Sequence, residues 1–185
     1  MKRVLLGMLF AAAVAGTAAA VPFTVTFEEP SLPTGIGTWF SGSGVVFDPG
    51  WQLLTPTLTY PAHSGTHIVY SVGPTAWINF IEPVRFVDAW FTTTSNAFPG
   101  LHMEAYSGLS GTGTLIDTAT MLKNARSIDP MRVESPNGEI MSVVIHDTGN
   151  AFTMDDVTFD PVPEPATISL LLAAIGLTIL RKRRE

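Results

Sequence analysis

The sequence predicts an all-β protein, an antiparallel sandwich or barrel set between two short processing segments. Three observations predict it. Residues 21–160 are rich in Thr, Val, Phe, Gly and Pro and poor in Lys and Glu, which favours strands and turns over helices. Apolar residues alternate with polar ones over short segments bounded by turn signals. No window sustains a helical period of useful length.

The elements follow in order. Residues 22–28 place Phe23, Val25 and Phe27 on one face and Thr24, Thr26 and Glu28 on the other, as a half-buried strand does. Residues 29–50 form a loop-rich stretch broken by Pro30, Pro33, Gly35, Gly37 and Ser41-Gly42-Ser43-Gly44, with a short strand at 45–47. Strands are predicted at 66–72, 76–81, 84–93, 101–106, 113–120, 140–146 and 151–159. Asp147-Thr148-Gly149-Asn150 reads as a hairpin turn between the last two. Asp160-Pro161-Val162-Pro163 reads as a hinge to the tail. No internal repeat is present. A single domain of this size hides about two-thirds of its unfolded surface.

Charge is unevenly placed. Between residues 21 and 160 the only basic residues are Arg85, Lys123, Arg126 and Arg132, four against fourteen acidic ones, an excess of ten negative charges. Such a domain repels phosphate backbones, which argues against nucleic acid as a partner and suits divalent cations or neutral polymers. There is no cysteine, so stability rests on the core, with a bound ion as a further aid.

Both ends carry export signals. Met1-Lys2-Arg3, an apolar run over 4–14 and Ala18-Ala19-Ala20 have the order of a secretory signal peptide. Ala18 and Ala20 fit the small pockets of signal peptidase, so the mature chain is expected to begin at Val21. At the other end Val162-Pro163-Glu164-Pro165 precedes an apolar run over 166–180 and the cluster Arg181-Lys182-Arg183-Arg184. The run is short for a membrane span, which snorkelling arginines and local thinning offset. The basic cluster stays cytoplasmic, so the domain lies outside the inner membrane. The two prolines stop the helix and keep the motif extended.

This tail resembles the PEP-CTERM sorting signal in all three of its parts, over residues 161–185. The resemblance implies an exosortase that cuts near Pro163-Glu164-Pro165, and a Gram-negative host that makes exopolysaccharide. The expected domains are therefore a signal peptide at 1–20, a β-domain at 21–160 and a sorting and anchor tail at 161–185. The expected location is an inner-membrane-anchored intermediate, then the cell surface or the extracellular matrix.

A second resemblance lies within the domain. Phe27-Glu28-Glu29, Trp39, His63-Ser64-Gly65-Thr66-His67 and Phe152-Thr153-Met154-Asp155-Asp156-Val157-Thr158-Phe159 occur in that order. The pattern is similar to carbohydrate-binding modules of the galactose-binding-like jelly-roll fold. The resemblance implies a jelly-roll sandwich whose first and last strands lie side by side with a structural calcium between them. Glu28 and Asp155 or Asp156, with backbone carbonyls near Ser64, would supply its oxygen ligands.

The residues themselves point the same way at Asp155-Asp156. The apolar pairs flanking them, Phe152-Met154 and Val157-Phe159, fall on opposite parities, so the strand must bulge there. Adjacent carboxylates in a half-buried strand repel and need a partner; the bland alternative is an acidic edge that blocks aggregation.

Catalytic patterns are weak. Asp147-Thr148-Gly149 matches the triplet of aspartic proteases but sits in a turn composition. His63 and His67 would share a metal only on a helix, and Ser64-Gly65 between them signals a turn. Glu82, Asp88 and Glu104 form a glycosidase pair only if they converge. The aromatics Trp39, Trp51, Trp77, Trp90, Tyr60, Tyr70 and Tyr106 could stack on sugar rings or fill the core. Trp51 and Tyr60, in proline-flanked stretches, are the expected exposed pair. The sequence thus predicts a non-enzymatic exported surface or matrix protein that binds polysaccharide. The rivals are a secreted polysaccharide hydrolase and a purely structural envelope component.

Overall fold

One long strand organises the domain. A computed structural model describes residues 21–162, apart from 30, 74, 97–99, 148 and 150. The described strands are β1 (Phe23–Val25), β2 (Val45–Phe47), β3 (Trp51–Leu54), β4 (Ile68–Ser71), β5 (Thr75–Thr93), β6 (Leu101–Tyr106), β7 (Leu115–Met121), β8 (Asp129–Glu134), β9 (Ile140–Asp147) and β10 (Phe152–Pro161). Every pairing among them is antiparallel. The signal segment with Ala18 and Ala20 lies outside the described residues, as do Pro163, Glu164, Pro165 and the tail to Arg181, Lys182, Arg183 and Arg184. Among the described residues no helix is long and apolar enough to cross a membrane.

The sequence splits β5 in two at Glu82-Pro83; the strand instead runs through. Proline is tolerated because the ladder slips there, between Asn79 and Val84, where no N–H is required. The first half of β5 pairs with β2 and β9, the second with β8 and β10. The ladder therefore continues as β9–β6–β7 on one side and as β10–β4–β3 on the other, with β1 along β10. Inward residues of both halves meet in one core that includes Phe47, Ile78, Phe80, Phe91, Met103, Val143 and Phe159. A chain of edge-on rings, Phe27–Phe40–Phe47–Trp51–Phe152, crosses it with centroids 5.8–6.3 Å apart, the spacing aromatic quadrupoles favour.

Other expectations are corrected as well. Trp51 is not a loop residue but opens β3, and it is 0 % exposed. Its indole N–H donates to the Trp77 carbonyl at 3.1 Å. β8 was hidden by Pro130, which fits because β8 pairs with β5 alone. The hairpin expected across Asp147–Asn150 is not formed by the flanking strands: among the described residues β9 pairs with β5 and β6, and β10 with β5, β4 and β1. The expected hinge is structured as well. Pro161 ends β10, and the Val162 N–H donates to the Pro83 carbonyl at 2.9 Å.

The predicted bulge is present. The β10 register shifts between Asp155 and Thr158, and Asp156 has φ 44°. The extra residue lets Met154 and Val157 both face the core. Strand β1 is shorter than the alternation suggests. Val25 and Phe27 are buried, but Phe23 is 41 % exposed and Phe27 has left the strand at φ 61°.

Candidate functional site

Two clusters of polar side chains stand out, and they are built differently. The first gathers the acidic residues singled out in the sequence around the turn 63–67. Asp155 is fully buried, and its Oδ2 accepts the backbone N–H groups of His63 (2.8 Å) and Ser64 (3.1 Å). Its Oδ1 accepts the N–H of Asp156 at 2.9 Å. Asp156 accepts the Ser64 hydroxyl on Oδ1 (3.0 Å) and His63 Nδ1 on Oδ2 (2.6 Å). The His63 ring also stacks on Trp90 at 3.7 Å. From the other side Glu28 accepts the N–H groups of Thr66 (2.9 Å) and His67 (2.8 Å) on Oε1, and the Thr66 hydroxyl on Oε2. Gly65 has φ +60°, and a Cβ there would collide with the Glu28 carboxylate, so the turn requires glycine.

These contacts set the charge state of each acid. Burial raises the Asp155 carboxyl; the N–H groups of Ser64 and His63 pull it down, the neighbouring Asp156 charge pushes it up, and the net shift is upward. Burial also pushes Glu28 up, but its four donors outweigh that and hold it below the ordinary value.

The cluster does not fit a calcium shared by all three of Glu28, Asp155 and Asp156 at once. Two oxygens bound to one calcium lie within about 5 Å of each other. Among the described residues these three carboxylates form no group with ligand atoms all within 4.8 Å. Each of their oxygens already accepts an N–H or O–H donor. Ser64 offers the acids its N–H and hydroxyl as a donor. The four residues form a clasp on the turn. Nor is this a hydrolytic triad, since the Ser64 hydroxyl donates to Asp156 and not to His63.

The second cluster lies on the outward side of β5, β9, β6 and β7. Directly paired residues of an antiparallel ladder share a face, so the registers give its rows. His146 of β9 faces His102 of β6, and Thr120 of β7 continues the row. The next row is Trp77, Val144, Glu104 and Thr118, and the next is Asn79, Ser142 and Tyr106. Trp77, His102, Glu104, Tyr106 and His146 are all half-buried. The two imidazoles stack in parallel, 3° apart with centroids at 4.8 Å. His146 Nε2 lies 3.5 Å from Glu104 Oε1, and the Tyr106 hydroxyl donates to Glu104 Oε2 at 2.6 Å. That bond, ahead of burial and the Glu104 charge, raises the Tyr106 phenol above its ordinary value.

The turn Leu109–Gly111 bounds this face at one end. The Ser110 N–H donates to Asn79 Oδ1 (2.7 Å), and the Gly111 N–H to Ser142 Oγ (3.0 Å). A Cβ on Gly111 would press on Val144 at 2.6 Å, so the turn sits directly on the sheet. No carboxylate other than Glu104 occupies these rows, so Glu82 and Asp88 do not converge with it. Asp88 instead pairs with Arg132 at 2.7 Å. A groove of about 440 Å³ lined by Arg85, Phe86, Arg132, Ser135 and Asp160 lies elsewhere on the domain; its arginines are paired with Asp160, Asp88 and Glu134.

The expected exposed aromatics are thus redistributed. Trp51 is core and cannot stack on a ligand. Tyr60 is half-buried, its hydroxyl 2.9 Å from that of Thr94. The face carries Trp77 and Tyr106 in their place. His102 and His146 were missed. The period-two run His102, Glu104, Tyr106 in 101–106 was a legible signal for one strand of the face, but its partner across the ladder was not.

No family model matches the sequence, and neither does any curated protein. Solved structures do resemble the chain. The K2 cleaved adhesin domain of Lys-gingipain superposes with a TM-score of 0.52 at 16 % identity, over 75 % of this chain and 99 % of that domain. The likeness is one of fold. The xylan-binding CBM22-1 domain of Paenibacillus barcinonensis Xyn10C (TM-score 0.47, 11 % identity, 81 % of this chain and 100 % of that one) lies further off. So does CsCBM6-3 of Clostridium stercorarium, solved with cellobiose (0.45, 14 %, 80 % and 99 %).

Proposed function

We propose that this chain is an exported, non-enzymatic surface protein of galactose-binding-like jelly-roll type that holds polysaccharide on the face formed by β5, β9 and β6. The observation that carries the reading is the grouping of Trp77 with Tyr106, Glu104, Asn79 and the paired histidines on one outward sheet face. Sugar rings present apolar C–H faces and a rim of hydroxyls. An indole with adjacent carboxylate, amide and imidazole groups matches both. The acidic character of the domain favours a neutral or weakly charged polymer. The hydrolase alternative needs two carboxylates across a scissile bond, and Glu104 stands without a second one on its face.

The tail belongs to the same proposal. Residues 161–185 sort the domain as a PEP-CTERM signal through an exosortase, after signal peptidase has cut behind Ala20. The reading rests on the order of its three parts in the sequence.

Affinity electrophoresis of the full chain in gels containing xylan, mixed-linkage glucan or host exopolysaccharide tests the first claim. At least one polymer should retard the protein, and Trp77→Ala should weaken retardation about tenfold with little change in melting temperature. Retardation by none, or full retention in Trp77→Ala, would remove the face from consideration. Mass spectrometry of the mature protein from its host tests the second; an intact tail ending at Glu185 would sink it.

A further inference from the structure

We infer that His102, Glu104 and His146 form a binding site for one divalent transition metal of the zinc type on the outer sheet face. Their ligand atoms all lie within 4.8 Å of one another, the one His/Asp/Glu group of this kind among the described residues. The site follows from register. His102 and Glu104 are two apart on β6 and share a face, and His146 sits directly opposite His102 on β9. Two strands thus offer an N₂O set that needs no loop to assemble it.

Several features suit a metal better than they suit a plain surface. His102 makes no side-chain hydrogen bond among the described residues; its ring only stacks on His146. The two imidazoles stack with their planes parallel, so a shared ion requires the rings to turn until their in-plane lone pairs converge. Tetrahedral zinc sets its ligand atoms about 3.3 Å apart. The His146–Glu104 pair is already at 3.5 Å, and ring and carboxylate rotations close the rest. The Tyr106 hydroxyl fixes the other carboxylate oxygen at 2.6 Å, the kind of outer contact that orients a ligating carboxylate. Half-burial of all three residues leaves a coordination position open to water. Imidazole nitrogens select zinc, copper, nickel or cobalt over calcium and magnesium. The site therefore differs in ligand chemistry and in place from the calcium expected at Glu28 and Asp155, and it does not depend on polysaccharide binding.

The test uses the full-length protein, purified without a histidine tag, and titrates Zn²⁺ by calorimetry. One ion per chain is expected. His102→Ala and His146→Ala should each weaken binding about 100-fold and Glu104→Gln about tenfold. His67→Ala, outside the site, should leave it unchanged. Copper electron paramagnetic resonance of the unmodified protein gives a reading free of folding artefacts, with hyperfine structure from two nitrogens expected. Absence of stoichiometric zinc uptake, uptake undiminished in the His102→Ala/His146→Ala double variant, or a copper spectrum without nitrogen coupling would overturn the inference.

Discussion

The clasp at Glu28, Asp155 and Asp156 and the face at Trp77, Glu104 and His146 contain similar residue types, yet they differ in what their polar atoms touch. In the clasp every carboxylate oxygen receives a donor from the 63–67 turn or its own strand. On the face the His102 side chain makes no hydrogen bond among the described residues, and Glu104 is held by Tyr106 on one side while its other oxygen stands 3.5 Å from His146. Saturated polar groups order the chain that surrounds them. Groups left with capacity at a surface are available to a ligand. The contrast gives the first cluster a structural part and leaves the second the one with polar capacity to spare.

The largest effect that sharpens this contrast is expected at Asp155. Asp155→Ala strands three backbone N–H groups at the clasp and should cost about 3 kcal/mol, read as a melting temperature lower by roughly 10 °C. A loss of less than about 1 kcal/mol would show that the turn holds without it. Such a variant should keep its zinc site, since the face lies on other strands.

Glu28→Gln should cost less, roughly 1 kcal/mol once solvent screening is allowed for, and its cost should depend on pH. The folded-state pKa of Glu28 lies below its ordinary value of 4.5. Its stabilisation is therefore fully present above that value and is lost as pH falls through the lower folded value. Asp155 works in reverse. Its folded pKa lies above the ordinary 3.8, so ionisation costs stability at neutral pH, and that cost fades on acidification. Melting curves of unmodified and Glu28→Gln protein should converge as pH falls below the ordinary Glu range and through the lower folded value; a constant gap would mean that the Glu28 charge is not what binds the turn.

Glu104→Gln on the face should change stability by under about 0.5 kcal/mol, since glutamine still accepts the Tyr106 hydroxyl. A drop comparable to that of Glu28→Gln would make the face a structural element like the clasp. The smallest expected effect is that of calcium. Thermal unfolding with calcium and with chelator should coincide within about 1 °C. A calcium-dependent rise that disappears in Asp155→Asn would turn the clasp into an ion site and erase the distinction.

Much of the fold was legible because strands announce themselves locally. The 101–106 segment was delimited to the residue, and the parity conflict around Asp155-Asp156 required the bulge that β10 contains. Local patterns misled where tertiary pairing supplied what the segment lacked. Trp51-Gln52-Leu53-Leu54 has no alternation and lies between prolines, yet it pairs with β4 and buries its indole. Asp129–Glu134 contains a proline that only an edge strand accepts.

By itself the sequence determined the all-β class, the acidic cysteine-free domain, the order of the segments at its two ends and the bulge, since each follows from residue type and spacing along the chain. The partners of Asp155 and the joining of His102 to His146 were decided only by tertiary structure. Asp155 lies 91 residues from its partner Ser64, and the two histidines lie on separate strands. A period of two fixes which side of a strand a residue takes. Which strand lies beside it, and in what register, is set by the packing of the whole core.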